Sequence, residues 1–275
     1  VIDDPLPQSW KDLQDGVARI FTNLGLIADT EVTVATPRGS VTLDVLALDS
    51  ASLDNIKYVV ECKNWGAAIP QSVVHSFTTV MHETGANIGF IISRVGLQSG
   101  AEKYTESTNI SGLTYLEFQQ RYFNSWWYRY FCPLVGDAAD KPLQFIEPIN
   151  SARDTAYNDL SAEKKAEFDA LRERNGILVM MLSMLNIGFI APHLVRGDFQ
   201  RPPPSIEAFK LSVASVAPHV TLSAASYRGI MHELIDYLQD LSVQFDAVLG
   251  FELFPGDLSL TGVTLTGPPG NRPRR

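Results

Sequence analysis

The run Ile56–Trp65, IKYVVECKNW, constrains the fold more than any other stretch of the chain. Its β-branched, apolar residues form a strand that belongs inside a sheet, yet Glu61 and Lys63 stand two positions apart near its end. Side chains of a strand alternate between faces. Glu61 and Lys63 therefore project to one side with Val59 behind them, and Val60, Cys62 and Asn64 project to the other. Charges beside a core are costly unless they are paired or put to use. Taken alone, this stretch leaves open both an ordinary ion pair at a strand end and a chemical site.

The neighbouring sequence supplies the sheet. SWKDLQDGVARIFTNLGL is helical by period: Leu13, Val17, Ile20 and Leu24 form one stripe, Trp10, Gln14, Val17 and Phe21 the next, and Ser9 is the expected N-cap. Gln14 is thus an amide on or beside the buried face, in either a structural or a functional role. TEVTVATPRGSVTLDVLALD holds two strands around a turn at Pro37-Arg38-Gly39, and the opening run makes a third, antiparallel one. Pro70 then opens the helix PQSVVHSFTTVMHETG, followed by the strand IGFIIS, a helical SGAEKYTEST and the strand LTYLEF. The order α, β, β, β, α, β, α, β predicts an α/β unit over residues 1–120: a meander that switches into a β-α-β crossover, giving a mixed β-sheet flanked by helices.

Beyond Phe118 the character changes. QQRYFNSWWYRYF reads as an aromatic helix on the sheet and PLVGDAADKPLQFIEPIN as a connecting loop, so residues 121–150 form an aromatic-rich connector. Residues 151–265 read as a mainly helical C-terminal region: Ser161 caps a helix through about Leu185, RPPPS interrupts, and Ser205 and Ser223 or Ser226 begin two more helices. FELFPGDLSLTGVTL reads as a final hairpin, and residues 266–275, with three arginines, as a disordered tail.

Composition limits the function classes. At 275 residues and 45% hydrophobic, the chain can bury a real core. Cys62 and Cys132 make neither a metal-spaced pair nor a disulfide framework, which fits a reducing, cytoplasmic setting. The start, VIDDPLPQSW, has no initiator Met and is no signal peptide, and reads as part of a longer protein. A formal charge of -9 excludes a surface that draws nucleic acid by its overall field, so any polyanion contact is local. The uncharged run Ile177–Val195 approaches the length of a bilayer span, but Asn186, Gly188, Pro192 and His193 interrupt it, and no membrane role is expected.

One more residue joins Glu61 and Lys63. Asp44 interrupts the apolar strand VTLDVLAL, which pairs with the strand of Glu61, so the two carboxylates can stand side by side. Paired carboxylates need a proton or a cation between them, and magnesium is commonly held by one or two carboxylates with water and substrate oxygens completing its shell. A lysine beside such a pair orients or helps deprotonate water and offsets charge developing on a phosphorane. The set therefore suits metal-assisted phosphodiester hydrolysis.

A helix, then Asp44, then Glu61-x-Lys63 within α-β-β-β-α-β resembles the PD-(D/E)XK nuclease superfamily, and VECKNW points to its Mrr-like restriction endonuclease branch. The resemblance covers roughly Ser9 to Phe118. It implies a restriction-endonuclease-like fold, metal ligands in Asp44, Glu61 and the main-chain carbonyl of Cys62, and Lys63 as the catalytic lysine. Gln14 falls where this branch carries Glu or Gln facing the metal. Leu43 replaces the proline of the superfamily's signature, a common departure. Gln71, which matches loosely, and Asn64 are candidate DNA contacts.

The expectation is a magnesium-dependent DNA endonuclease of prokaryotic, antiviral defence type. Manganese should substitute, the assembly should be a homodimer or larger, and a sensor or targeting domain or partner protein would deliver it to DNA. A catalytically silent interaction module and a repair or junction-resolving nuclease are the alternatives. His75 and His82 read as surface histidines, and Trp126, Trp127, Tyr128 and Tyr130 as aromatic packing in preference to base stacking.

Overall fold

The computed structural model describes residues 1–187, 202–256 and 259–265, and divides them into two compact units, residues 1–126 and 127–265. The first unit runs α1 (Trp10–Asn23), β1 (Ile27–Thr36), β2 (Gly39–Asp49), β3 (Ile56–Lys63), α2 (Gln71–Thr84), β4 (Ile88–Ser93), α3 (Ser99–Thr105), β5 (Ile110–Thr114) and α4 (Tyr115–Trp126). This is the expected order. The five strands lie side by side in chain order, antiparallel from β1 to β3 and parallel from β3 to β5.

Adjacent residues of β4 show how the sheet is sandwiched. Phe90 meets Phe21 of α1 and Phe118 of α4, with ring centroids at 6.3 and 5.7 Å. Ile91 points the other way, into a cluster with Leu43, Val59, Val74, Phe77 and Met81. Helices thus cover both faces, and the central strands are buried twice over. The side chain of Ser9 caps α1 as expected, accepting the Asp12 amide at 3.0 Å.

One strand is shorter than its sequence suggests. LTYLEF was expected to be extended throughout, but β5 ends at Thr114 and Tyr115-Leu116-Glu117-Phe118 begin α4. Thr114 and Glu117 form a reciprocal cap: the Thr114 amide donates to Glu117 Oε2 at 2.7 Å, and the Glu117 amide donates to Thr114 Oγ1 at 3.2 Å. This T-x-x-E capping box outweighs the β propensity of Leu and Tyr.

The second unit begins with a π-helical turn at Trp127–Phe131 and continues through α5 (Cys132–Ile146), α6 (Ser151–Asn158), α7 (Ala162–Ser183), α8 (Ile206–Val216) and α9 (Tyr227–Leu249). The expected loop at PLVGDAADKPLQFIEPIN is therefore corrected to helix α5 followed by a short connection. Pro133 follows directly on the π-helical turn, near the start of α5, and Pro142 lies inside the helix near its end. Burial of Val135, Ala139 and Phe145 offsets the interior proline. Phe145 stacks on Phe245 at 4.8 Å, with Phe168 beside both.

Ser161, Ser205 and Ser226 cap α7, α8 and α9. The expected hairpin at FELFPGDLSLTGVTL has no strand among its described residues. Its polar groups go to side chains instead: Asp137 accepts from the Thr261 amide at 3.2 Å and from Ser259 Oγ at 2.6 Å. Among the described residues no helix is long and apolar enough to cross a membrane; Pro192, His193 and the tail at 266–275 lie outside them.

Candidate active site

The ladder between β2 and β3 runs from Asp49↔Ile56 to Val45↔Val60 and stops one step short of Asp44 and Glu61. Where the strands part, the Asp44 carboxylate fills the fork. Its Oδ2 accepts the Cys62 amide at 2.7 Å, a charge-assisted bond in the place of a strand-to-strand one. A strand residue's N–H and C=O share an edge, so the Cys62 carbonyl opens on the same side as Asp44. The next carbonyl, of Lys63, alternates toward β4 and accepts the Arg94 amide at 3.3 Å.

The hairpin is bent to permit this. Thr30 accepts a hydrogen bond from Lys11 of α1 at 2.9 Å, whereas Val34, four residues on, packs with the α2 cluster on the opposite face. Strict alternation would keep both on one face. Between them Glu31 takes φ 55°, in the left-handed region, and the register Thr30↔Val45 and Val32↔Leu43 sets it opposite Asp44. In β2, Leu43 and Leu46, three apart, both pack with the α2 cluster. The twist of the hairpin therefore pivots at Asp44 and turns its carboxylate into the fork.

From α1, Gln14 reaches the same group. Its Nε2 donates to Asp44 Oδ1 at 3.0 Å, while its Oε1, fully buried, lacks a partner among the described residues. Glu61 and Lys63 form an ion pair, with side chains 28% and 23% exposed. The Lys63 ammonium also lies 5.6 Å from the centre of the Trp65 ring. On this face a pocket of about 330 Å³ is lined by Glu61, Lys63, Trp65, Ser72, Val73, Ser76, Phe77 and Val80. The Cys62 side chain points away from it. Burial, reinforced by the Asp44 and Glu61 charges, pushes the thiol well above its ordinary range, so Cys62 offers the site its main chain and no thiolate.

The donor set fits a hard cation. Two carboxylates, a main-chain carbonyl and an orphaned amide oxygen are all oxygen donors of the kind that magnesium takes. Among the described residues no group of three or more His, Cys, Asp or Glu side chains comes together, which argues against a complete side-chain cage.

The remaining candidates lie elsewhere. Gln71, exposed on the first turn of α2, faces His75 with nitrogen atoms 3.2 Å apart, and has no described bond to Asp44, Glu61 or Lys63. Asn64 keeps a buried Oδ1 without a partner among the described residues. His75 and His82 are exposed. Trp126, Trp127 and Tyr130 are buried and Tyr128 is 40% exposed. The residue that sequence reasoning passed over is Trp65. Its parity matches that of Glu61 and Lys63, and extending the alternation two positions past the lysine finds it.

Among solved structures, the crystal structure of a protein of unknown function, AF1548, is similar at 20% identity with a TM-score of 0.33, over 38% of this chain. The chain spans 56% of that protein's length. No curated protein matches. A family model does, over residues 7–121, which hold α1 and the sheet with Gln14, Asp44, Glu61 and Lys63: it is that of the Mrr catalytic domain, described as a restriction endonuclease, and this part of the chain is similar to that domain and has a restriction-endonuclease-like fold.

Proposed function

We propose that the protein is a divalent-metal-dependent endonuclease that hydrolyses phosphodiester bonds of DNA, with Asp44, Glu61 and Lys63 as its catalytic group. One observation supports this above the others: the Asp44 carboxylate fills the fork of β2 and β3 on the edge where the Cys62 carbonyl opens, one residue from Glu61. Asp44, Glu61 and the Cys62 carbonyl would hold magnesium, with manganese able to substitute. The bound cation supplies a Lewis acid and a template for phosphate and water.

The chain's own residues carry the rest. Two N–H donors, from Cys62 and Gln14, fix the Asp44 carboxylate in direction. Gln14 presents its spare carbonyl oxygen beside that carboxylate, where it can accept from a water. Lys63 is held by Glu61 as it stands. When Glu61 turns to other company, the ammonium is free to orient the attacking water and to offset charge on the phosphorane oxygens. Asn64 and Gln71 are proposed as DNA contacts flanking the β3 end. A role in defence against foreign or modified DNA, action as a homodimer and delivery by a further domain or partner complete the reading. The acidic net charge of -9 supports delivery over capture by field.

The test is incubation of unmethylated and methylated plasmid DNA with the full chain in magnesium, in manganese and in EDTA. Cutting in either metal that EDTA abolishes is the expected result. Metal binding by calorimetry without cutting of either plasmid would point to an absent activator. Neither binding nor cutting would replace the enzyme with an interaction module.

A further inference from the structure

We propose that the pocket beside Lys63 receives one unpaired nucleobase of the substrate strand, stacked on Trp65; the proposal rests on the nuclease reading above and specifies the substrate's shape. Trp65 is 45% exposed, although an indole so placed gains nothing from solvent. Its ring forms one wall of the pocket, Val73, Phe77 and Val80 give the apolar lining, and Ser72 and Ser76 bring polar atoms. An exposed aromatic face beside a cation is the pairing that single-stranded nucleic acid uses, base on ring and phosphate on charge.

Size narrows the ligand. At about 330 Å³ the pocket stands at the lower end of the range for ligand sites, roughly 300–1,000 Å³. It has room for one planar base with part of its sugar, and none for a base pair between its two backbones. A base lodged there must have left its stack, which is cheapest where it is already unpaired. The geometry also connects the pocket to the chemistry. The Lys63 ammonium lies 5.6 Å from the Trp65 ring centre, so a base on that ring brings its own phosphate to the lysine. Trp65 acts by holding substrate and takes no part in bond breaking.

The test uses the full chain in magnesium with two labelled duplexes, one fully paired and one carrying a single unpaired nucleotide. Initial rates are measured for the native chain, Trp65→Phe and Trp65→Leu. The native chain should cut beside the unpaired nucleotide with the lower KM. Loss of an aromatic platform is expected to raise that KM by about 5- to 100-fold in Trp65→Leu, leave kcat within about threefold and abolish the preference. Trp65→Phe should retain most of it. Equal KM values for the two duplexes with the native chain would overturn the proposal. A fall in kcat alone in Trp65→Leu would overturn it too, since Trp65 would then serve only to steady Lys63. A native chain that cuts neither duplex nor plasmid and binds no magnesium by calorimetry would overturn the nuclease reading and the pocket's role with it.

Discussion

Asp44 holds Cys62 across the fork of the sheet: its carboxylate accepts the Cys62 amide at 2.7 Å where β2 has already left β3. The other carboxylate oxygen accepts from Gln14 at 3.0 Å, so both partners are donors and each carboxylate oxygen accepts from one of them.

Asp44→Asn removes the charge and keeps the shape. The substituted side chain can still accept from Cys62, and Gln14 can reverse its own amide so that its orphaned oxygen accepts from the NH₂ group introduced opposite it. The expected cost is about 1 kcal/mol, or roughly 2–4 °C in the melting midpoint. Magnesium-dependent cleavage should fall by at least ~100-fold. Thermal melting with and without magnesium checks the stability cost and the metal binding, the native chain gaining stability from the metal and the variant none, and initial rates check the cleavage.

Gln14→Met replaces a buried amide having one unpaired oxygen with an apolar chain of similar length. Relief of the unpaired oxygen partly offsets the lost Nε2 bond to Asp44 Oδ1, so the variant should be less stable in urea by only about 1 kcal/mol. If Gln14 orients Asp44 and a water, cleavage falls by about 10- to 100-fold, the usual effect of losing an outer partner of a metal site. A stable variant at full activity would make Gln14 purely structural.

Lys63→Met separates charge from packing. Glu61 loses its partner, but both side chains are partly solvated, so the stability change should stay within ~1 kcal/mol. Loss of the ammonium should lower kcat by ~10²- to 10³-fold while metal binding persists. Calorimetry beside initial rates distinguishes this from loss of the metal site.

Much of the first unit was legible because its signals are local. Period and alternation gave α1, the three-stranded meander and the crossover, and the parity of Glu61 and Lys63 placed them on one face. The pivot at Glu31 was not legible, since a left-handed non-glycine in a strand has no sequence signature that distinguishes it from its neighbours. The end of β5 is written in the chain as a T-x-x-E box, but the apolar, aromatic residues of LTYLEF carry an extended signal that masks it. The glycine and prolines of helix α5 carry a loop signal, whereas burial of Val135, Ala139 and Phe145 decides that segment, and burial partners are distant in sequence.

Both cysteines should be inert in the folded protein. Cys62 and Cys132 are buried, and burial pushes each thiol above its ordinary range, so the reactive thiolate is scarce at neutral pH. Titration with a thiol reagent is expected to find no rapid reaction under native conditions and two equivalents in denaturant. Rapid native labelling would contradict the packing around β3 or α5.

Asp140 gives the second unit a pH signature. Burial, with the charge of Asp137 adding to it, raises this carboxyl to about 6, against the opposing hydrogen bond from Asn186. A folded value above the unfolded one, about 4, means the group's contribution is fully present below pH ~4 and is lost as pH rises through ~6. Asp140→Asn can still accept from Asn186 and no longer ionises. Relative to the native chain, the variant should gain stability progressively from pH ~4 to ~7, as melting across that range would record; a constant difference would contradict the assignment.

The most direct test of the central claim is the initial rate of plasmid nicking in magnesium by the native chain, Asp44→Asn and Lys63→Met at equal concentration. The account predicts nicking by the native chain and a loss of at least ~100-fold in each variant with the fold intact. Nicking by all three at equal rates would assign the activity to something other than the Asp44, Glu61 and Lys63 group, and would contradict the account.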